Sequence, residues 1–185
     1  MIDLQYVRRV QDYLAEASTF QEDAKILAQL IQNSVRQNGQ IWVAGNGGSA
    51  SMSNHFATDL TLVKTISIRC HALTANSSSI TALGNDFEFS KIFSIQLERF
   101  GRAEDLLVAI SSSGNSNNII QALELANTIG MKSFSVLGFG GGEARQKSNH
   151  SFVLNSRKGD YGPTEDIHSM FLHATREVLE IDFKE

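Results

Sequence analysis

The chain reads as a doubly wound α/β domain, a parallel sheet flanked by helices, with a helical pair at its N-terminus. Three observations predict this fold. Short β-rich runs alternate with helical stretches from residue 40 onward, two of those runs end in small-residue loops that open into helices, and the longest apolar run, residues 106–110, is only strand length. A membrane span needs roughly 20 apolar residues, so none is expected.

Taken in order, the first forty residues give two helices. Leu4, Val7, Val10 and Leu14 make an apolar stripe on the first, fit to pack in a helical bundle with another subunit or on their own domain. Within 19–36, Ala24, Ile26, Leu27, Leu30, Ile31 and Val35 recur at helical spacing; Ser18 with Gln21 forms a capping-box pattern, and Gly39 stands at the C-terminal stop. The period then changes. Residues 40–44 form a strand that ends at Gly45 and is followed by a helix over 49–62, and the same order recurs at 105–110 and 117–129. Further strands are expected at 65–72, 133–137 and 151–154, and helices at 77–83, 87–100 and 163–183, the last started by Pro163 at its first position. The 185 residues thus read as one domain, 1–39 as N-terminal helices and 40–185 as the ligand-binding core.

Composition excludes several classes. With 42% hydrophobic and 19% charged residues the chain is neither disordered nor fibrous. Sixteen Lys and Arg against twenty Asp and Glu give a net charge of −4 without a basic run, so no nucleic-acid partner is expected. The N-terminal stretch lacks the apolar core of a secretory signal, and Cys70 has no second cysteine to pair with, which together point to the cytoplasm and exclude a cysteine-based zinc site.

The loop Gly45-Asn46-Gly47-Gly48-Ser49-Ala50 can aim backbone N–H groups at an anion, with the dipole of the following helix behind them. It matches a dinucleotide fingerprint, yet nothing between Asp59 and Asp86 supplies the acidic residue expected about 20 positions on, and no Gly-Lys-Ser/Thr follows for a Walker loop. A tight strand-to-helix turn would need the same glycines. The second loop, Ser111-Ser112-Ser113-Gly114-Asn115-Ser116, offers four hydroxyls around one glycine and no cation, a composition suited to a monophosphate ester; Ser116 would also serve as an ordinary helix N-cap.

His55 and Asp59 stand four apart on one helix face, as a metal or acid–base pair or as a solvated pair. Glu165, Asp166, His168 and His173 form a second group. At about 100° per residue His173 lies roughly 20° from Asp166 and 80° from Glu165, so periodicity selects Asp166 as its partner, while His168 diverges from it by about 140°. Glu165 in a first turn would also serve simply as a helix-dipole partner.

In order along the chain, GNGGSA, HFATDL, LTALGNDFEF, ISSSGNS and EDIHSMFLH resemble the sugar-isomerase (SIS) fold, and specifically the phosphoheptose isomerase family, over almost the whole length. The resemblance implies isomerisation of sedoheptulose 7-phosphate to D-glycero-D-manno-heptose 7-phosphate for bacterial surface polysaccharide, by a cytoplasmic homotetramer with active sites between subunits. By position, Asn46, Gly47, Gly48, Ser49, Asn85 and Asp86 would contact substrate, and Ser111, Ser112, Ser113 and Ser116 would hold the phosphate and neighbouring sugar oxygens. His55, Asp59, Glu165 and His173 fall on zinc-ligand positions, with Glu165 also beside the sugar; Asp59 is implied as catalytic base and His173 as acid, with zinc polarising the carbonyl. Three positions depart from the family pattern: Asp59 stands for glutamate, Glu165 for glutamine and Gly140 for aspartate, which leaves another sugar phosphate as an alternative substrate. Some relatives with this fold lack the catalytic pair and act as adaptors for a replication initiator protein; the acid at Asp59 and His173 argue against that role here.

Overall fold

A computed structural model describes residues 5–181. Its elements run α1 (Gln5–Glu16), α2 (Phe20–Arg36), β1 (Ile41–Gly45), α3 (Gly48–Thr61), β2 (Cys70–Ala72), α4 (Ser77–Asp86), a 3₁₀ turn (Phe89–Lys91), α5 (Ser94–Phe100), β3 (Leu106–Ser111), α6 (Asn117–Thr128), β4 (Lys132–Leu137), α7 (Ala144–Lys147), β5 (His150–Val153) and α8 (Tyr161–Ile181). All strand pairs are parallel in the order β2-β1-β3-β4-β5, the doubly wound arrangement expected from the sequence.

The strands are apolar at nearly every position because each face of the sheet is covered. Ile41, Val43, Leu106, Val108, Ile110, Phe134, Val136 and Phe152 join one buried cluster with Leu27 and Ile31 of α2, Phe56 and Leu60 of α3, and Ile167 and Phe171 of α8. On the opposite face Trp42, Ala44, Leu107 and Ala109 pack with Leu97 of α5 and with Ile119, Leu123 and Ala126 of α6. Phe152 stacks on Phe171 at 4.4 Å between ring centroids, with Phe20 meeting both edge-on, which fixes α2 and α8 against β5. The buried Asp105 accepts hydrogen bonds from the Gln40 N–H and the Trp42 indole at 2.9 and 2.8 Å, setting the start of β1 against that of β3.

Four local expectations are revised. The strand expected over 65–72 shortens to β2, since its neighbour, β1, begins with Ile41 opposite Cys70; the Ile41 N–H still bonds the Arg69 carbonyl at 2.8 Å, and β1 offers no residue opposite those further back. The helix expected over 87–100 breaks into the 3₁₀ turn and α5, with Phe87 ending α4 in a non-helical conformation. Pro163 is the third residue of α8, tolerated because N–H groups of a first turn lack intrahelical partners anyway. At α2 the cap position is Thr19, without a side-chain capping bond, in place of the Ser18–Gln21 box. Leu4 and residues 182–183 lie outside the described residues.

Helix α1 buries no residue fully; Val10 and Leu14 pack partly against the core while Val7 is exposed. Polar ties hold it to the start of α8: Tyr6 donates to Asp166 at 2.7 Å and Tyr13 to Asp160 at 2.6 Å, and Arg9 lies 3.6 Å from Asp160. Among the described residues no helix is long and apolar enough to cross a membrane.

His168 is fully buried within α8, and burial pushes its imidazole down to about 4 against a smaller upward pull from the Leu137 backbone. The neutral ring is the native form. Below the ordinary value of 6.5 the unfolded chain takes up a proton that the native state refuses, so stability falls as pH drops from 6.5 toward 4, by about 3 kcal/mol in all. Urea unfolding across this window should show that slope in the wild type and a shallower one in His168→Leu.

Candidate active site

Parallel pairing places the ends of β1 and β3 at one level, with Gly45 opposite Ile110, so the glycine and serine loops emerge side by side. The connection after β1 runs outward to β2 and the connection after β3 runs the other way to β4, so the crevice between these loops lies at the topological switch point, where open α/β sheets take their ligands.

A pocket of about 160 Å³ opens there, lined by Asn46 and Ser49 of the first loop, Ile110, Ser111, Ser112, Ser113 and Ser116 of the second, and Tyr161 and Glu165 of α8. Its size suits a phosphate group. The Ser112 hydroxyl is buried without a hydrogen-bond partner, a cost of about 1–3 kcal/mol that a bound acceptor or donor removes. Ser116 occupies the N-cap position of α6, yet its hydroxyl makes no capping bond, so it too stands free for a ligand. The loop's shape is fixed by its own bonds: Ser111 Oγ accepts from the Gly114 N–H at 3.1 Å, and Ser113 Oγ from the Asn115 N–H at 3.2 Å. Behind it, the Ala144 N–H donates to the Gly114 carbonyl and the Glu143 N–H to Asn115 Oδ1, at 2.8 and 3.0 Å.

No lysine or arginine lines the pocket. Anion binding would rest on hydroxyls, backbone N–H groups and the α6 dipole. At the other helix start, the Glu165 carboxylate fills the space over Gly48, where a β-carbon would collide with it. Burial, and then the neighbouring Asp166, raise the Glu165 pKa.

Along the same two helices sits a second cluster. His55 and Asp59 of α3 meet His173 of α8: the two imidazole Nε2 atoms are 2.9 Å apart, and each lies near Asp59 Oδ2, at 3.5 and 3.6 Å. The Asp59 side chain is 14% exposed and its Oδ2 is buried without a hydrogen bond, whereas His55 and His173 are 58% and 53% exposed. The three ligand atoms lie within 4.8 Å of one another, a spacing that could hold a metal ion. Two imidazole nitrogens and one such carboxylate oxygen are the donor set that a divalent ion of zinc's class prefers.

The expected residues therefore separate into groups. Asn46, Ser49, Ser111, Ser112, Ser113, Ser116 and Glu165 gather in the pocket, and His55, Asp59 and His173 in the cluster. Glu165 does not join that cluster, Gly47 and Gly48 form the helix start without being lining residues, and exposed Asn85 and Asp86 end α4 away from the pocket lining. Asp166, selected by periodicity, instead accepts the Tyr6 hydrogen bond, and His173 is partnered across helices by His55 and Asp59. Gly140, with φ +82, does not line the pocket. Two residues escaped the sequence reading. Tyr161 precedes the proline taken as the helix start, and Asn118 reads as an ordinary polar residue of a first turn but pairs with Asn46.

The fold and the crevice define a SIS-domain protein, and the SIS domain family matches residues 5–138. The phosphoheptose isomerase of Helicobacter pylori is 31% identical over 183 residues, 94% of each chain. Among solved structures, a phosphoheptose isomerase from Neisseria gonorrhoeae superposes with a TM-score of 0.83 at 30% identity, over 95% of this chain and 93% of that one. Another from Francisella tularensis gives 0.88 at 25% identity, over 97% and 99%. The chain belongs to the phosphoheptose isomerase family.

Gly114 tests the loop. Its φ of +63 and the Gly141 carbonyl packed against it leave no room for a side chain. Gly114→Ala is expected to lose about 1–3 kcal/mol from the backbone conformation alone, read by urea unfolding, and to weaken inorganic phosphate binding in a calorimetric titration. Wild-type stability and phosphate affinity in this variant would contradict the assignment.

Proposed function

We propose that the chain is an aldose–ketose isomerase converting sedoheptulose 7-phosphate to D-glycero-D-manno-heptose 7-phosphate. One observation carries the reading: α3 and α8 each contribute both to a hydroxyl-lined pocket and to the His55–Asp59–His173 cluster. At about 1.5 Å per residue, Ser49 and His55 are roughly 9 Å apart along α3, and Glu165 and His173 roughly 12 Å along α8. An extended heptose chain can reach from a phosphate on the serine loop toward the cluster. The names of the similar proteins support the same substrate class.

Asp59, as base, takes the proton from C1 beside the ketose carbonyl, giving an enediol, and returns it to C2. His173, as acid, supplies a proton to the C2 carbonyl oxygen and takes back the C1 hydroxyl proton as the new aldehyde forms, which restores the starting protonation state. Asn46, Gly47, Gly48 and Ser49 border the sugar, and Ser111, Ser112, Ser113 and Ser116 hold the phosphate. Asn85 and Asp86, exposed at the end of α4, would meet substrate across a subunit boundary. Zinc fits the donor set of His55, Asp59 and His173, with Glu165 as the remaining position implied by resemblance; when bound, it supplies Lewis-acid polarisation of the carbonyl.

The reading extends to a cytoplasmic homotetramer acting in bacterial surface polysaccharide synthesis, with residues 1–39 in its interfaces and 40–185 as the sugar-phosphate core. An apolar groove along α1, α2 and α8, bordered by Leu14, Phe20, Met170, Ala174, Val178 and Ile181, supports such an interface. The intact carboxylate and histidines speak against a non-catalytic adaptor.

Asp59→Asn is expected to reduce turnover of sedoheptulose 7-phosphate by about 10²-fold or more while leaving inorganic phosphate binding within twofold of wild type. Aldose formation followed by NMR, with and without added zinc, measures the first and calorimetry the second. Retained turnover would remove Asp59 from the role of base.

A further inference from the structure

We propose that Asn118 is a positioning residue of the active site, acting through Asn46 to lock the glycine loop against the serine loop. The two side-chain amides form a reciprocal pair: Asn46 Nδ2 donates to Asn118 Oδ1 at 2.8 Å and Asn118 Nδ2 donates to Asn46 Oδ1 at 2.9 Å. Asn118 is 2% exposed in the first turn of α6 and does not line the pocket, whereas Asn46 does. Each amide satisfies one donor and one acceptor of the other, so the pair ties the two side chains together and excludes a flip of either one alone.

The position of this bridge gives it its effect. Asn46 directly follows β1 and precedes Gly47, whose φ is +55 with open space where a β-carbon would stand and whose carbonyl accepts from the Ala50 and Ser51 N–H groups at the start of α3. Asn118 follows the serine loop by two residues, on the helix whose N-terminus faces the pocket. The bridge therefore spans the switch-point crevice between the two loops that line the pocket. Without it, the Asn46 amide turns free and the glycine loop loses its only side-chain tie to α6 among the described hydrogen bonds. A displacement of about 1 Å at a reacting centre can cost up to about 10² in rate.

The inference rests on the isomerase reading for its kinetic test. Asn118→Ala is expected to raise KM for sedoheptulose 7-phosphate about tenfold, with a smaller fall in kcat. Asn118→Asp, which keeps the acceptor and loses the donor, should fall between it and wild type. In an Asn46→Ala background, Asn118→Ala should add less than twofold, because its effect passes through the amide already removed. Wild-type KM in both single variants, or full multiplication of the two alanine effects, would overturn the proposal. If Asn118→Ala fails to fold, Asn118→Asp carries the same comparison. Should wild type itself show no turnover, the isomerase reading fails separately. The clamp is then decided by side-chain amide NMR of the ligand-free protein, where slow exchange of the Asn46 amide protons, which Asn118 Oδ1 accepts, must be lost in Asn118→Ala and kept in Asn118→Asp. Equal exchange in both would sink it.

Discussion

The pairing of β1 with β3 is the constraint on which the rest depends. It brings two strand ends to one height, opens a loop from each, and sends their following helices to opposite faces of the sheet. Everything that could touch a ligand is placed relative to that edge. The pocket sits between the loops, α8 crosses over it, and α3 leads from it to the imidazole and carboxylate cluster. Asp105 sets the register at the opposite end, tying Gln40 and Trp42 of the first strand region to the start of β3.

Electrostatics then distinguish the two loops. Each opens a helix and so offers a positive dipole end. At α3 that end is already covered by the Glu165 carboxylate, whereas at α6 the hydroxyls of Ser112 and Ser116 stand without partners. On the proposed reading, this directs an arriving phosphate to the serine loop and leaves the glycine loop to the uncharged part of the ligand. The same logic accounts for the glycines behind the serine loop: the chain around Gly141 packs directly on Gly114 and holds it in shape.

The sheet, its helix alternation and both loops were legible because strand and helix periods differ and glycine and serine punctuate the changes. Contacts that depend on which helix crosses which were not. Periodicity within α8 paired His173 with Asp166, two residues on one helix face, whereas His173 meets α3 and Asp166 meets α1. The reciprocal amides of Asn46 and Asn118, separated by 72 residues, leave no local pattern at all. β2 shows the converse: its β-rich stretch was visible, yet its length was set by where β1 begins.

A crystal structure with sedoheptulose 7-phosphate bound tests most directly whether one ligand joins the two halves of the crevice. The phosphate oxygens are expected within hydrogen-bond reach of Ser111, Ser112, Ser113 and Ser116, with the C1–C2 end of the sugar beside Asp59 and His173. A phosphate seated elsewhere, for instance in the polar pocket of Asp23, Arg145 and Asn155, or a sugar directed away from the cluster, would contradict the account.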